Sequence, residues 1–420
     1  MIRTETLPNG LRLLTESMPD VRSVCLGVWL RQGSRDEPAE LSGISHFIEH
    51  LVFKGTESRS ARDIALAVDC IGGQMDAFTS KEYTCFYAKV LDEHLDVAVD
   101  LLADIVQRPK FDPQELERER QVIVEEIRMV EDSPEELIYD LFSGHFYRGH
   151  PLGRPIQGTE RTVQALRRAR LLRFFRGAYR PGNLLIVAAG NLEHRKLARL
   201  MTKSFGAMEA GRRGTPRARS PRACGGIVRR DKRGLEQLHL LLGVPAYPEN
   251  FAGRYRLFVL NALLGGTMSS RLFQRVREER GLAYTVYSAV NSFLDAGQLV
   301  IYAATSPDRG REAVDVILGE LRDLRDHGPT KAELEVAKEH LKGSLMLSLE
   351  STVSRMSNLA RQEIYFGRQF GLKEILDGID AVSARGVHAM SRRILGNGHL
   401  ALAAVGRMGG FRMRPESVRL

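Results

Sequence analysis

Only four cysteines occur in the 420 residues, Cys25, Cys70, Cys85 and Cys224, and no two of them form a C-x-x-C pair. That scarcity excludes a thiolate zinc cage and a disulfide framework, and it suits a reducing compartment. Nowhere do about 18 apolar residues run together, and the start, MIRTETLPNG, lacks the apolar core of a secretory signal. The expectation is a chain that neither crosses a membrane nor begins as a secreted precursor. A bacterial cytoplasm is the expected location, with a processed organellar protein as the alternative. Gly265-Gly266 is followed by no G-K-[S/T], so it is not a phosphate loop, and no dinucleotide fingerprint is present.

What is present fits a globular protein of two or three domains, with 43% hydrophobic and 27% charged residues. The net charge of +9 is unevenly placed. From Glu209 to Arg233 nine cationic side chains, among them Arg212, Arg213, Arg217, Arg219, Arg222 and Arg229, face only Glu209 and Asp231. Gly, Pro, Ala and Ser fill the same stretch without apolar periodicity, which marks a solvated basic linker over 209–233. It contains no aromatic residue on which bases could stack, so no nucleic-acid partner is expected.

The two sides of that linker resemble each other. Ala98-Val-Asp-Leu-Leu is echoed 215 positions on by Ala313-Val-Asp-Val-Ile, and the stretch from Asp112 to Glu117 by that from Thr330 to Glu335, 218 on. In both of the latter a capping residue, Asp112 or Thr330, precedes a glutamate by three, the signature of a capping box. Strand-like runs precede each helix, Tyr83 to Val90 and Gln298 to Ala304. The expected fold is α+β, a duplicated unit of sheet packed by helices, with domains at 1–208 and 234–420.

One stretch carries chemistry. Gly43 to Gly55 reads GISHFIEHLVFKG and holds His46, Glu49 and His50 as H-x-x-E-H, the zinc-protease motif in reversed order. The spacing predicts a helix, capped by Ser42 and bracketed by Gly43 and Gly55, with Ile44, Phe47, Ile48, Leu51 and Val52 as its buried stripe. At about 100° per residue both imidazoles and the carboxylate lie on one face. Two neutral imidazoles are half of a zinc site, and a carboxylate beside them is placed to take a proton from water. The duplication supplies a control: an offset of 211 puts Leu257, Leu260 and Asn261 at the corresponding positions.

A third ligand is expected from the helix that starts at Pro113, with Leu116, Val122, Ile123, Ile127 and Val130 as its buried stripe. Glu119 and Glu126 lie two turns apart on one face, so one could bind metal while the other accepts the far ring N–H of a histidine. Their counterparts in the second half are Ala337 and Ser344. His145 and His150 stand among Gly and Pro that mark a loop and are not expected to be ligands.

These residues resemble the inverted-zincin peptidases of the insulinase/pitrilysin (M16) family, in particular short-chain members related to the mitochondrial processing peptidase. The family places a glutamate about 76 positions after H-x-x-E-H, and Glu126 lies 76 beyond His50 within a fitting run from Glu119. The resemblance implies that His46, His50 and Glu126 bind one Zn2+ per chain, that Glu49 is the general base, and that Glu119 is the outer carboxylate; Glu125 is the rival for the ligand role. Asp76, Ala77, Phe78 and Thr79 resemble the family's edge strand, whose backbone pairs with an extended substrate. Arg277 and Tyr284 match the arginine and tyrosine that hold the substrate carbonyl. The implied function is a zinc endopeptidase for peptides or presequence-like segments, with a catalytically silent subunit as the alternative. The implied architecture is one half-shell of a clamshell dimer, homodimeric or paired with a noncatalytic sister chain, in which Arg277 and Tyr284 face the zinc of the partner.

Overall fold

A computed structural model of the chain describes residues 2–211, 220–396, 398–409, 411–414, 416, 418 and 420. The centre of the basic linker, 212–219, lies outside the described residues. Two sheets organise the fold. The first is ordered β1-β2-β6-β3-β5-β4, from β1 (Ile2–Thr6), β2 (Arg12–Ser17), β3 (Ser23–Leu30), β4 (Gln74–Thr79), β5 (Thr84–Leu91) and β6 (Leu184–Gly190). The second is ordered β7-β11-β8-β10-β9, from β7 (Gly226–Asp231), β8 (Leu238–Ala246), β9 (Ala283–Ser292), β10 (Gly297–Thr305) and β11 (Ala401–Gly406). Omit β1 and the two orders coincide strand for strand. Each sheet has a single parallel pair at the same place, β2 with β6 and β7 with β11, and all other pairs are antiparallel. The fold is therefore α+β and duplicated, as the internal echoes predict.

Central strands buried on both faces read as continuous apolar runs, and β6 (LLIVAAG) and β11 (ALAAVG) are buried along their whole length. Burial on both faces requires a helix layer on each side of the sheet. One of those layers is exchanged between the halves of the chain. The helix Thr352–Phe366, from the second half, packs on β2, β3 and β6. The helix Pro134–Phe146, from the first half, packs on β7, β8 and β11. A glycine admits each helix: a Cβ on Gly27 of β3 would lie 2.7 Å from Met356 Sδ, and one on Gly243 of β8 would lie 2.4 Å from Phe142 Cζ.

This exchange corrects the division expected from the sequence. One compact unit comprises the chain up to Arg128, the part from Arg154 into the linker, and Leu347–Gln369. The other comprises Met129–Gly153, the part from the linker to Met346, and the chain from Phe370 on. Linker composition marks where a chain leaves a fold, but not which sheet a later helix covers, and the linker expected over 209–233 is too long, since Gly226–Asp231 within it form β7 and pair with β11. Among the described residues no helix is long and apolar enough to cross a membrane.

Candidate metal centre

The helix Ile44–Val52, hereafter the histidine helix, buries Ile44, Phe47, Ile48, Leu51 and Val52, the stripe its period predicts. Each such side chain contributes about 1.5–3 kcal/mol when removed from water. Its start differs from expectation. Gly43, at φ 95°, is the N-cap and no side chain caps from that position. Glu37 serves instead, accepting the amides of Gly43 and Ser45, each at 2.8 Å. Burial pushes the Glu37 carboxyl up to about 7, against those two hydrogen bonds.

Before the helix, the segment holding Glu37 is bonded to the β4–β5 turn. Ser34 and Arg35 donate their amides to the carbonyls of Ser80 and Lys81, at 3.1 and 2.8 Å. The Arg35 guanidinium donates to Glu82 at 2.7 Å, with both side chains at 1% exposure or less. This clamp sets the end of β4 against the histidine helix, where Thr79 Oγ1 donates to Glu49 Oε2 at 2.5 Å. Burial raises the Glu49 carboxyl above its ordinary range, opposed by that hydrogen bond and by the two neighbouring imidazoles.

The helix Pro113–Asp132, hereafter the glutamate helix, starts as predicted, with Asp112 accepting the amides of Gln114 and Glu115 at 2.8 and 3.3 Å. Glu115 turns to Arg118, so of the two boxes expected from the repeat the full one forms at Thr330 and Glu333. The inward face carries Leu116, Glu119, Ile123 and Val124, all buried. Val122, expected in that stripe, is 49% exposed, because six residues from Leu116 amount to about 240° of rotation.

His46, His50 and Glu126 converge: one donor atom from each lies within 4.8 Å of the others. Glu126 presents Oε1 to His46 Nε2 and Oε2 to His50 Nε2, each at 3.5 Å. Two donor atoms each about 2 Å from a tetrahedral zinc stand about 3.3 Å apart, so this nitrogen and oxygen set fits that ion. His50 Nδ1 meets Glu119 Oε2 at 3.1 Å, which directs its Nε2 toward Glu126. His46 Nδ1 is buried with no hydrogen-bond partner among the described residues. Burial lowers the His50 imidazole and the bonds to Glu126 and Glu119 raise it, the net being upward. Burial likewise pushes Glu126 up, but the hydrogen bonds from both histidines win and hold it far below the carboxylate range. Glu125, the rival ligand, is exposed and pairs with Arg128 Nη1 at 2.6 Å.

The remaining candidates are placed as follows. Asp76, Ala77, Phe78 and Thr79 lie on β4, an edge strand. Arg277 and Tyr284 lie in the second unit and stack, guanidinium over ring, at 4.6 Å; Tyr284 is 75% exposed. His145 sits in the last turn of the helix Pro134–Phe146 rather than in a loop, with Nε2 on the Gly225 carbonyl at 3.1 Å. His150 Nδ1 accepts the Leu152 amide at 3.2 Å. Three contacts at the centre escaped the sequence: the Thr79 hydroxyl on Glu49, Lys54 on Glu119 at 2.8 Å, and Gln157 on Glu126 at 2.9 Å. Lys54 lies beyond the end of the histidine helix, so only its nearness in sequence to His50 hints at it, and no local signal leads to Gln157.

The family profile described as Insulinase (Peptidase family M16) matches residues 12–160, and that described as Peptidase M16 inactive domain matches 165–341. The chain is 44% identical over 411 residues to a Bacillus subtilis (strain 168) protein named Uncharacterized zinc protease YmxG, covering 98% of this chain and 100% of that one. It is 42% identical over 425 residues to the Uncharacterized zinc protease Rv2782c of Mycobacterium tuberculosis (strain ATCC 25618 / H37Rv), covering 99% and 96%. Among solved structures it shares its fold with a protease from Helicobacter pylori, with TM-score 0.91, 23% identity, and 96% and 99% coverage. A chain of Complex III2 from Candida albicans has TM-score 0.85 and 21% identity, with both chains covered in full.

Proposed function

Because the chain belongs to the insulinase family of peptidases, M16, whose curated relatives here are named zinc proteases, we propose that it is a zinc-dependent endopeptidase for peptides and unfolded or presequence-like segments. The observation that carries this reading is the convergence of His46, His50 and Glu126 with Glu49 alongside. A zinc ion held by that trio supplies Lewis acidity and makes water more acidic near neutral pH.

The protein's own groups do the rest. Glu49, held by Thr79, takes a proton from the water that attacks the scissile carbonyl and returns it to the leaving amine. Its raised affinity for protons brings it nearer the operating pH, which favours both halves of that exchange. The outer edge of β4, from Asp76 to Thr79, offers backbone donors and acceptors to an extended peptide. Arg277 and the exposed Tyr284 serve as donors to the carbonyl oxygen as it gains charge. The catalytic assembly is a dimer, of two copies or of one copy with a noncatalytic sister chain, enclosing a chamber; Arg277 and Tyr284 of one protomer act at the zinc of the other.

Hydrolysis of a quenched fluorescent peptide library by the purified protein, with and without a chelator and alongside its mass in solution, tests this. Chelator-sensitive cleavage restored by zinc supports the proposal. A dimeric, zinc-loaded protein that cleaves nothing would point to a missing partner chain, and a protein that takes up no zinc would overturn the reading.

A further inference from the structure

Besides Glu49, held by Thr79, the centre has two carboxylates that meet histidines, Glu119 and Glu126, and each is held by a further donor that is not a histidine. Glu119, 5% exposed, receives His50 on Oε2 and Lys54 Nζ on Oε1, the latter at 2.8 Å. With both oxygens occupied, the carboxylate cannot rotate without losing one of two charge-assisted contacts. Lys54 stands just past the end of the histidine helix, two residues beyond Val52, so the group that fixes Glu119 and the imidazole that Glu119 fixes come from one short stretch of chain.

Glu126 is held differently. Its Oε1 accepts from Gln157 Nε2 at 2.9 Å while the same oxygen faces His46. Gln157 belongs to a loop pressed onto the start of the histidine helix. Gly43, at φ 95°, and Gly158, at φ 79°, lie in this contact. A Cβ on Gly43 would fall 2.4 Å from the Gln157 carbonyl oxygen, and one on Gly158 would fall 2.4 Å from that of Ser42. Both glycines occupy the left-handed region, where a side chain is strained even before it meets these oxygens. The two backbones thus touch directly, and the point from which the Gln157 side chain reaches Glu126 is set by the helix that carries the histidines. Being neutral, the amide orients Glu126 without cancelling its charge, whereas a cation at the same point would compete with a metal.

We infer that Lys54 and Gln157 are positioning residues of this centre: Lys54 holds Glu119 so that His50 presents Nε2, and Gln157 holds Glu126 turned between the two imidazoles. The inference rests on the metal-centre reading given under Proposed function. The effect is on metal binding before any chemistry, since outer partners of this kind change metal affinity about 10- to 100-fold when removed.

The test is zinc affinity of the full chain, by competition with a chromophoric chelator, together with the visible absorption of the cobalt-loaded protein. Lys54→Met and Gln157→Leu should each weaken zinc binding about 10-fold and alter the cobalt bands. Lys54→Arg should restore most of the affinity, and thermal unfolding of the metal-free variants should match that of the parent. Glu126→Gln is the reference. If it loses zinc while Lys54→Met and Gln157→Leu keep parental affinity and parental cobalt spectra, the positioning role is overturned and the metal centre stands. If Glu126→Gln also binds zinc as the parent does, the metal-centre reading falls and this inference with it.

Discussion

In the first unit the histidine helix turns His46, Glu49 and His50 toward the glutamate helix; in the second, the helix Arg254–Asn261 carries Leu257, Leu260 and Asn261 at the corresponding positions. Leu257 and Leu260 are at most 1% exposed, and the Asn261 amide oxygen accepts from Ser288 Oγ at 2.9 Å. Ala337 stands where the first unit has Glu119 and is itself buried. The strand order around both places is the same. One backbone arrangement therefore accommodates either a converging polar set or an apolar core. Burying the polar set has a cost unless each group finds a partner, and in the first unit Thr79, Glu119, Lys54 and Gln157 supply partners to all but His46 Nδ1.

The most severe way to break this comparison is to give the first unit the side chains of the second. The triple change His46→Leu, Glu49→Leu, His50→Asn should abolish zinc uptake, read by metal analysis, while circular dichroism stays that of the parent. Retained stoichiometric zinc would show that the two places do not differ in the way described. A single change separates metal from chemistry: Glu49→Gln should keep zinc yet lower kcat about 1,000-fold. Turnover within a few-fold of the parent would remove Glu49 as the base.

The start of the histidine helix sharpens the contrast through pH. Glu37 binds its proton up to about 7 in the folded state against 4.5 for an ordinary glutamate. Between those values the folded chain holds a proton that the unfolded chain has released. Stability is therefore greatest below about 4.5 on this account and declines as pH rises through about 7, by up to about 3 kcal/mol. Urea unfolding across that range should show the decline, and Glu37→Gln should flatten it. An unchanged slope in the variant would assign the pH dependence elsewhere.

The smallest effects concern the exchanged helices. Gly243→Ala meets the ring of Phe142 and should destabilise by about 2–3 kcal/mol. Gly27→Ala meets the flexible end of Met356 but also the buried Trp29 indole nitrogen, each 2.7 Å from the added Cβ, and should cost about 1–2 kcal/mol. Equal midpoints in chemical unfolding would contradict this difference in how the two sheets receive their helices.

Much of the centre is legible in the sequence alone. Helical periodicity is local, so the shared face of His46, Glu49 and His50, and that of Glu119 and Glu126, could be read from spacing. The family resemblance favoured Glu126 over Glu125, and the coordinates show the latter turned to Arg128. Capping at Asp112 was readable for the same local reason, while capping by Ser42 was not, because Glu37 reaches the helix start from outside it. The exchange of the helices Pro134–Phe146 and Thr352–Phe366 has no local periodic signature, although Leu26-Gly27-Val28 and Leu242-Gly243-Val244 repeat, each with the glycine that admits one of them.

By itself the sequence determined the family, the duplicated α+β plan and the side chains that share each helix face. These follow from patterns within a few turns or from repetition along the chain. Only the tertiary structure decided which donors complete the centre and which sheet each exchanged helix covers. Gln157 meets Glu126 across 31 residues and Thr79 meets Glu49 across 30, through backbone contacts between separate elements. Such pairings depend on how closely surfaces approach, as at Gly43 and Gly158, and no periodicity records that distance.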